Sequence, residues 1–132
     1  MNDDKSTTIA GSFGHFILKE NGIVYFYKED DIAIDEATAI EFLEIIRQLD
    51  DSGSALILVV QGHRVEYTFS AQRTLLTSDL IGKLAYVIQT TTQRLTAELL
   101  QDMAKTLRSH YKVGIFQRVE KAEAWLLGEG EE

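Results

Sequence analysis

Ala55-Leu56-Ile57-Leu58-Val59-Val60 is six apolar residues in a row. A strand with one wet face alternates apolar and polar side chains. An unbroken run of this length reads instead as a strand covered on both faces, as in a parallel sheet with helices packed on it. The segment before it, Asp35 to Leu49, has helical period. Ala37, Ala39, Ile40, Phe42, Leu43, Ile45, Ile46 and Leu49 make a wide apolar face, and Glu41, Glu44, Arg47 and Gln48 make the wet one. Asp35 is placed as its N-cap, because a carboxylate there accepts from the free amides of the first turn. Asp50-Asp51-Ser52-Gly53 closes the helix.

Further toward the N-terminus, Phe13–Lys19 and Ile23–Tyr27 are rich in β-branched and aromatic residues and flank Glu20-Asn21-Gly22. Asn-Gly tolerates positive φ, so the pair reads as an antiparallel hairpin. Lys28–Ile34 reads as an acidic loop, and residues 1–12 as an arm. Toward the C-terminus, Val65, Tyr67 and Phe69 alternate with Glu66 and Thr68, which is strand period, but a loop over 62–69 leading into a helix is preferred. From Ser70, Leu75, Leu76, Leu80 and Ile81 predict a short helix ended by Gly82. Lys83–Ile88 predicts a second buried strand, Thr90-Thr91-Thr92 the caps of a long helix to about Arg108, Val113–Phe116 a short strand, and Val119–Leu127 a last helix. Residues 128–132 read as an acidic tail. The order is β-β-α-β-α-β-α-β-α. This predicts one α/β domain over 13–127: a β-hairpin, then alternating helices and strands, in a mixed, mostly parallel sheet with helices packed on it.

Composition narrows the chemistry. The chain has 132 residues, a net charge of −8 and no cysteine or proline. Without cysteine there is no disulfide, thiolate catalysis or Cys-ligated metal. The negative charge and the lack of a basic run argue against nucleic acid and anionic membranes. The apolar run at 55–60 is far short of the ~20 residues that span a bilayer. The polar start, Met1 to Thr8, lacks the apolar core of a signal peptide, so a cytoplasmic protein is expected. No phosphate loop, nucleophile elbow or zinc helix motif is present. His15, His63 and His110 have no partner at ligand spacing. No catalytic residue, metal or cofactor is therefore expected. Thr90-Thr91-Thr92, after a strand and before a helix, is a candidate anion site as well as a set of caps. Thr68 and Ser70 are likewise caps or a regulatory position, since a phosphate is tolerated at a helix start.

The element order and the ending Val113-Gly-Ile-Phe-Gln-Arg-Val-Glu-Lys-Ala-Glu-Ala-Trp-Leu126 resemble the STAS-like group, the fold of the SpoIIAA-type anti-sigma-factor antagonists. They are similar, more narrowly, to small uncharacterised bacterial proteins of that fold. Phe116, Ala122, Trp125, Leu126 and the Arg94-Leu95 pair carry the likeness, which spans about Gly14 to Leu127. Gln117-Arg118 stands where relatives place a good helix cap. The resemblance implies a non-enzymatic domain that docks to a partner protein, often gated by serine or threonine phosphorylation. The acceptor stretch of the antagonists, Asp-Ser/Thr-Ser-Gly, falls here on Thr68-Phe69-Ser70-Ala71, without the Asp or the Gly. The alternative is a module that binds a small apolar or anionic ligand in the crevice beyond the strand C-termini. A homodimer is also expected, through the edge of the 13–27 hairpin or through Phe42 and Ile45.

Overall fold

The computed structural model describes residues 7–129. Eight strands and four helices follow one another as β1 (Thr7–Gly11), β2 (Gly14–Leu18), β3 (Ile23–Lys28), β4 (Ile32–Ile34), α1 (Glu36–Leu49), β5 (Ala55–Val60), β6 (Val65–Tyr67), α2 (Phe69–Leu76), β7 (Ile81–Val87), α3 (Thr91–Thr106), β8 (Lys112–Phe116) and α4 (Val119–Leu126). Six strands form one sheet in the order β1-β2-β3-β5-β7-β8. β1, β2 and β3 are antiparallel neighbours, and β3, β5, β7 and β8 run parallel. The fold is thus the α/β class expected, with a mixed, mostly parallel sheet.

Period two sorts the side chains of each strand to two cores. Val24 and Phe26 of β3, Ile57 and Val59 of β5, and Leu84 and Tyr86 of β7 face α1, α2 and α3. Ile23, Tyr25, Leu58, Ala85 and Val87 face α4, whose Ala122, Trp125 and Leu126 close that side. Both faces of β5 are therefore dry, as its continuous apolar run implies. The hairpin turn is built as read. Gly22 has φ +86, and the Asn21 carboxamide oxygen accepts from the Ile23 amide at 3.0 Å. Asp35 caps α1 by accepting from the Thr38 amide at 2.9 Å.

Several expectations change. Residues 7–11, taken as arm, pair with β2, because Thr8 and Ile9 find the open side of the hairpin. Residues 1–6 and 130–132 lie outside the described residues. The acidic loop contains β4, and 62–69 is not loop throughout. Ile32-Ala33-Ile34 and Val65-Glu66-Tyr67 form a second, two-stranded parallel sheet, continued by the Thr68 amide donating to the Ile34 carbonyl at 3.0 Å. The helix predicted to end at Gly82 stops at Leu76, since Leu80 and Ile81 turn back into the sheet. The proposed dimer contacts are used internally. Phe42 and Ile45 are buried under α1, and the outer strand of the hairpin is covered by β1.

Gly62 holds the end of β5 against the 29–31 loop. A Cβ there would lie 2.2 Å from the Glu29 carbonyl oxygen. On the other face, the Trp125 ring sits on Phe116 at 5.5 Å between centroids and on Gly114, and Lys83 donates to its carbonyl at 2.9 Å. Arg118, the N-cap of α4, supplies no side-chain hydrogen bond, so this helix depends on packing. Trp125→Ala is expected to destabilise the protein by roughly 3–5 kcal/mol in urea unfolding, the range for truncating a large core aromatic. An unchanged midpoint would contradict the anchoring role of α4.

Candidate functional site

At the C-terminal end of β3 the period-two pattern continues for one residue too many for comfort. Val24 and Phe26 point to the three-helix face, and so does the next member of the series, Lys28. Its ammonium lies over three aromatic rings: Tyr67 at 4.3 Å, Tyr86 at 5.4 Å and Phe26 at 5.6 Å. Among the described residues it makes no ion pair and no hydrogen bond. Cation–π attraction partly replaces water around it, yet burial holds its pKa well below the ordinary 10.5. The reason is that a charge removed from water without a counter-ion is disfavoured.

The surroundings are aromatic and contain no acid. Lys28 opens onto an internal cavity of about 30 Å³ lined also by Phe26, Phe42, Tyr67, Tyr86 and Tyr111. Among the described residues no carboxylate or histidine lines it. The Tyr67 and Tyr86 hydroxyls are 3.3 Å apart, and the Tyr111 hydroxyl donates to the Leu75 carbonyl at 2.8 Å. Burial raises the phenols of Tyr86 and Tyr111, with the neighbouring Tyr86 adding to the effect on Tyr111. Tyr67 reaches this place only because β6 exists. The two-stranded sheet carries it over the sheet end.

One strand along, the pairing of Tyr27 with Val60 ends the β3–β5 ladder, and Gln61 follows it at the border of a neighbouring cleft. Gln61 is 6% exposed, and neither atom of its carboxamide has a hydrogen-bond partner among the described residues. Gln72 donates to the Tyr67 carbonyl at 3.2 Å and leaves its own oxygen unpaired. Gln93, also buried, donates to the Gln61 and Gly62 carbonyls at 3.2 and 3.1 Å and so ties α3 to β5. These buried polar groups escaped the sequence reading. The signal that could have found Lys28 was its phase, two residues after Phe26 in a strand whose face is dry.

The predicted site residues are placed as follows. Thr90 caps α3: it accepts from the Gln93 amide at 3.1 Å, while Gln93 accepts from the Thr90 amide at 3.1 Å, a reciprocal capping box. Thr91 and Thr92 are exposed in the first turn. Thr90 and Thr92 border an open cleft of about 420 Å³ with Gln61, His63 and Arg64. The cation of that cleft is already engaged, because Arg64 is paired with Asp31. Thr68, not Ser70, caps α2, accepting from the Ala71 amide at 3.0 Å. Ser70 is exposed one position inside the helix. His15 stacks on Tyr27, and His110 Nε2 lies 3.0 Å from the Ile81 carbonyl, so the histidines stand apart. Among the described residues no helix is long and apolar enough to cross a membrane.

No protein-family model, curated protein or solved structure matches the chain significantly.

Two outcomes follow from this geometry. Lys28 is ordinary when unfolded and lowered when folded, so between its native value and 10.5 the unfolded chain binds more protons. Stability therefore rises with pH through that window, until near pH 10 the unfolded tyrosines ionise while raised Tyr86 and Tyr111 stay protonated, and stability falls. Lys28→Met is expected to flatten the rising limb and to stabilise the protein at neutral pH by at least ~1 kcal/mol, measured as urea midpoints across pH. At the other site, Thr68→Ala should cost ~0.5–2 kcal/mol as a lost cap. Ser70→Ala should change stability by less than ~0.5 kcal/mol in the same assay.

Proposed function

We propose that this chain is a non-catalytic protein-docking module of the STAS type, and that it meets its partner through α2 and α3. The observation that carries the proposal is the exposure of large apolar side chains on the outer surface of the helical layer. Phe69 opens α2 and is 55% exposed, and Leu95 and Leu99 on α3 are 61% and 52% exposed. Leu95 and Leu99 share one helix face at four-residue spacing, and α2 packs against α3. Apolar side chains held out in water in this way are the usual mark of a surface that is covered in a complex. Arg73 lies over the Phe69 ring at 5.5 Å and keeps it splayed on the surface.

Thr68 and Ser70 flank Phe69 directly. The Ser70 hydroxyl makes no hydrogen bond within the described residues, so it is the group of the two that a kinase could take without undoing a cap. A phosphate there would set about −1.5 to −2 charges beside the apolar side chain and weaken docking to an apolar surface.

The experiment is affinity capture from source-cell extract with the wild-type chain and with Phe69→Ser/Leu95→Gln/Leu99→Gln, both first shown to melt alike. A polypeptide retained by the wild type should fall by more than about tenfold on the triple variant, and Ser70→Glu should reduce it as well. Identical retention by wild type and triple variant would overturn this assignment.

A further inference from the structure

We propose that Lys28 is a nucleophilic amine that captures a short, neutral aldehyde as an imine within the cavity it lines. This goes beyond docking and uses the opposite side of the helical layer, the dry one. Three features of the place argue for it. Among the described residues the amine has no anion to neutralise it, and ring faces hold it. The cavity beside it, about 30 Å³, is room for a guest of about two or three heavy atoms, since about 10–15 Å³ of such space admits one water. The other titratable groups on the lining are the phenols of Tyr67, Tyr86 and Tyr111, and no carboxylate or histidine competes for the amine proton.

Desolvation supports the same chemistry, because burial disfavours the ammonium and leaves a free lone pair at lower pH than an exposed lysine allows. The class of guest follows from the lining. With Lys28 consumed, no second cation remains to hold a carboxylate, so an oxo acid is excluded and an uncharged carbonyl fits.

The step balances without any further reactant. The Lys28 nitrogen lone pair forms a bond to the carbonyl carbon, and the C=O π pair moves to oxygen. Oxygen gains one proton and nitrogen loses one, giving a carbinolamine. The Tyr67 and Tyr86 hydroxyls, 3.3 Å apart, are the proton-bearing groups on the lining that can pass it on, the Tyr111 hydroxyl being engaged by Leu75. Nitrogen then gives up its second proton to the departing hydroxyl, water leaves, and C=N forms. Hydrolysis reverses each step.

The test uses the full folded chain with acetaldehyde and cyanoborohydride near pH 7, followed by peptide mapping of the ethyl adduct. Lys28 is expected to be labelled at least about tenfold faster than the exposed Lys105 and Lys121. Its lead should widen as pH is lowered, since an ordinary lysine loses its neutral fraction about tenfold per pH unit below its pKa. Benzaldehyde, too large for the cavity, should label Lys105 and Lys121 and spare Lys28. Labelling of Lys28 no faster than of the exposed lysines would overturn the proposal, and so would equal labelling by both aldehydes.

Discussion

The parallel pairing of β3, β5, β7 and β8 is the constraint from which the rest follows. Three adjacent strands that are apolar on both faces cannot meet water on either, and each parallel crossover needs a helix-length connection. Three such connections supply α1, α2 and α3, and all three cover one face. The second face is left to α4 alone. That short helix has no side-chain N-cap bond, and it compensates with one large aromatic set between Phe116 and Gly114.

The same arrangement explains why the strand ends carry the unusual chemistry. Along β3 the face of Val24 and Phe26 runs on to its last residue, so the half-buried Lys28 turns its ammonium over the aromatic rings of Phe26, Tyr67 and Tyr86. Gln61 follows the last residue of β5 in the same phase. A small second sheet, β4 with β6, then folds over these ends and brings Tyr67 onto the Lys28 ammonium. The outcome is a local polar layer inside an apolar core, with an unpaired amine, an unpaired carboxamide and two facing phenols. Folding gains nothing from such a layer. That cost is the physical reason to look there for a role beyond packing, while Phe69, Leu95 and Leu99 stay exposed on the outer surface, where the proposed docking is placed.

Much of the architecture was legible in local patterns. Asn21-Gly22 specified the hairpin, Asp35 the start of α1, Thr90-Thr91-Thr92 the start of α3, and the unbroken run at 55–60 the doubly covered strand. Each is a signal written within a few residues, by φ tolerance, by capping chemistry or by period. What escaped was short and non-local. β4 and β6 are three residues each; strand period shows at 65–67, but nothing local weighs it against a loop until β4 lies beside it. β1 is polar at its start and becomes a strand only because β2 offers an open edge. The helix predicted to reach Gly82 ended early because Ile81 was claimed by β7, where burial between β5 and β8 outweighs helical spacing.

The sequence by itself determined the α/β class, the order of its main elements, the two-sided core and the place of Trp125, because these depend on the polarity and propensity of neighbours along the chain. Only the tertiary structure decided that the Lys28 ammonium is set over three aromatic rings, that Thr68 rather than Ser70 is the cap, that Phe42 and Ile45 are internal, and that Phe69, Leu95 and Leu99 are not. Those outcomes depend on which surfaces meet across long stretches of chain. A lysine at the end of a strand meets water alone or an aromatic ring as well according to whether residues 65–67, far along the sequence, fold beside it.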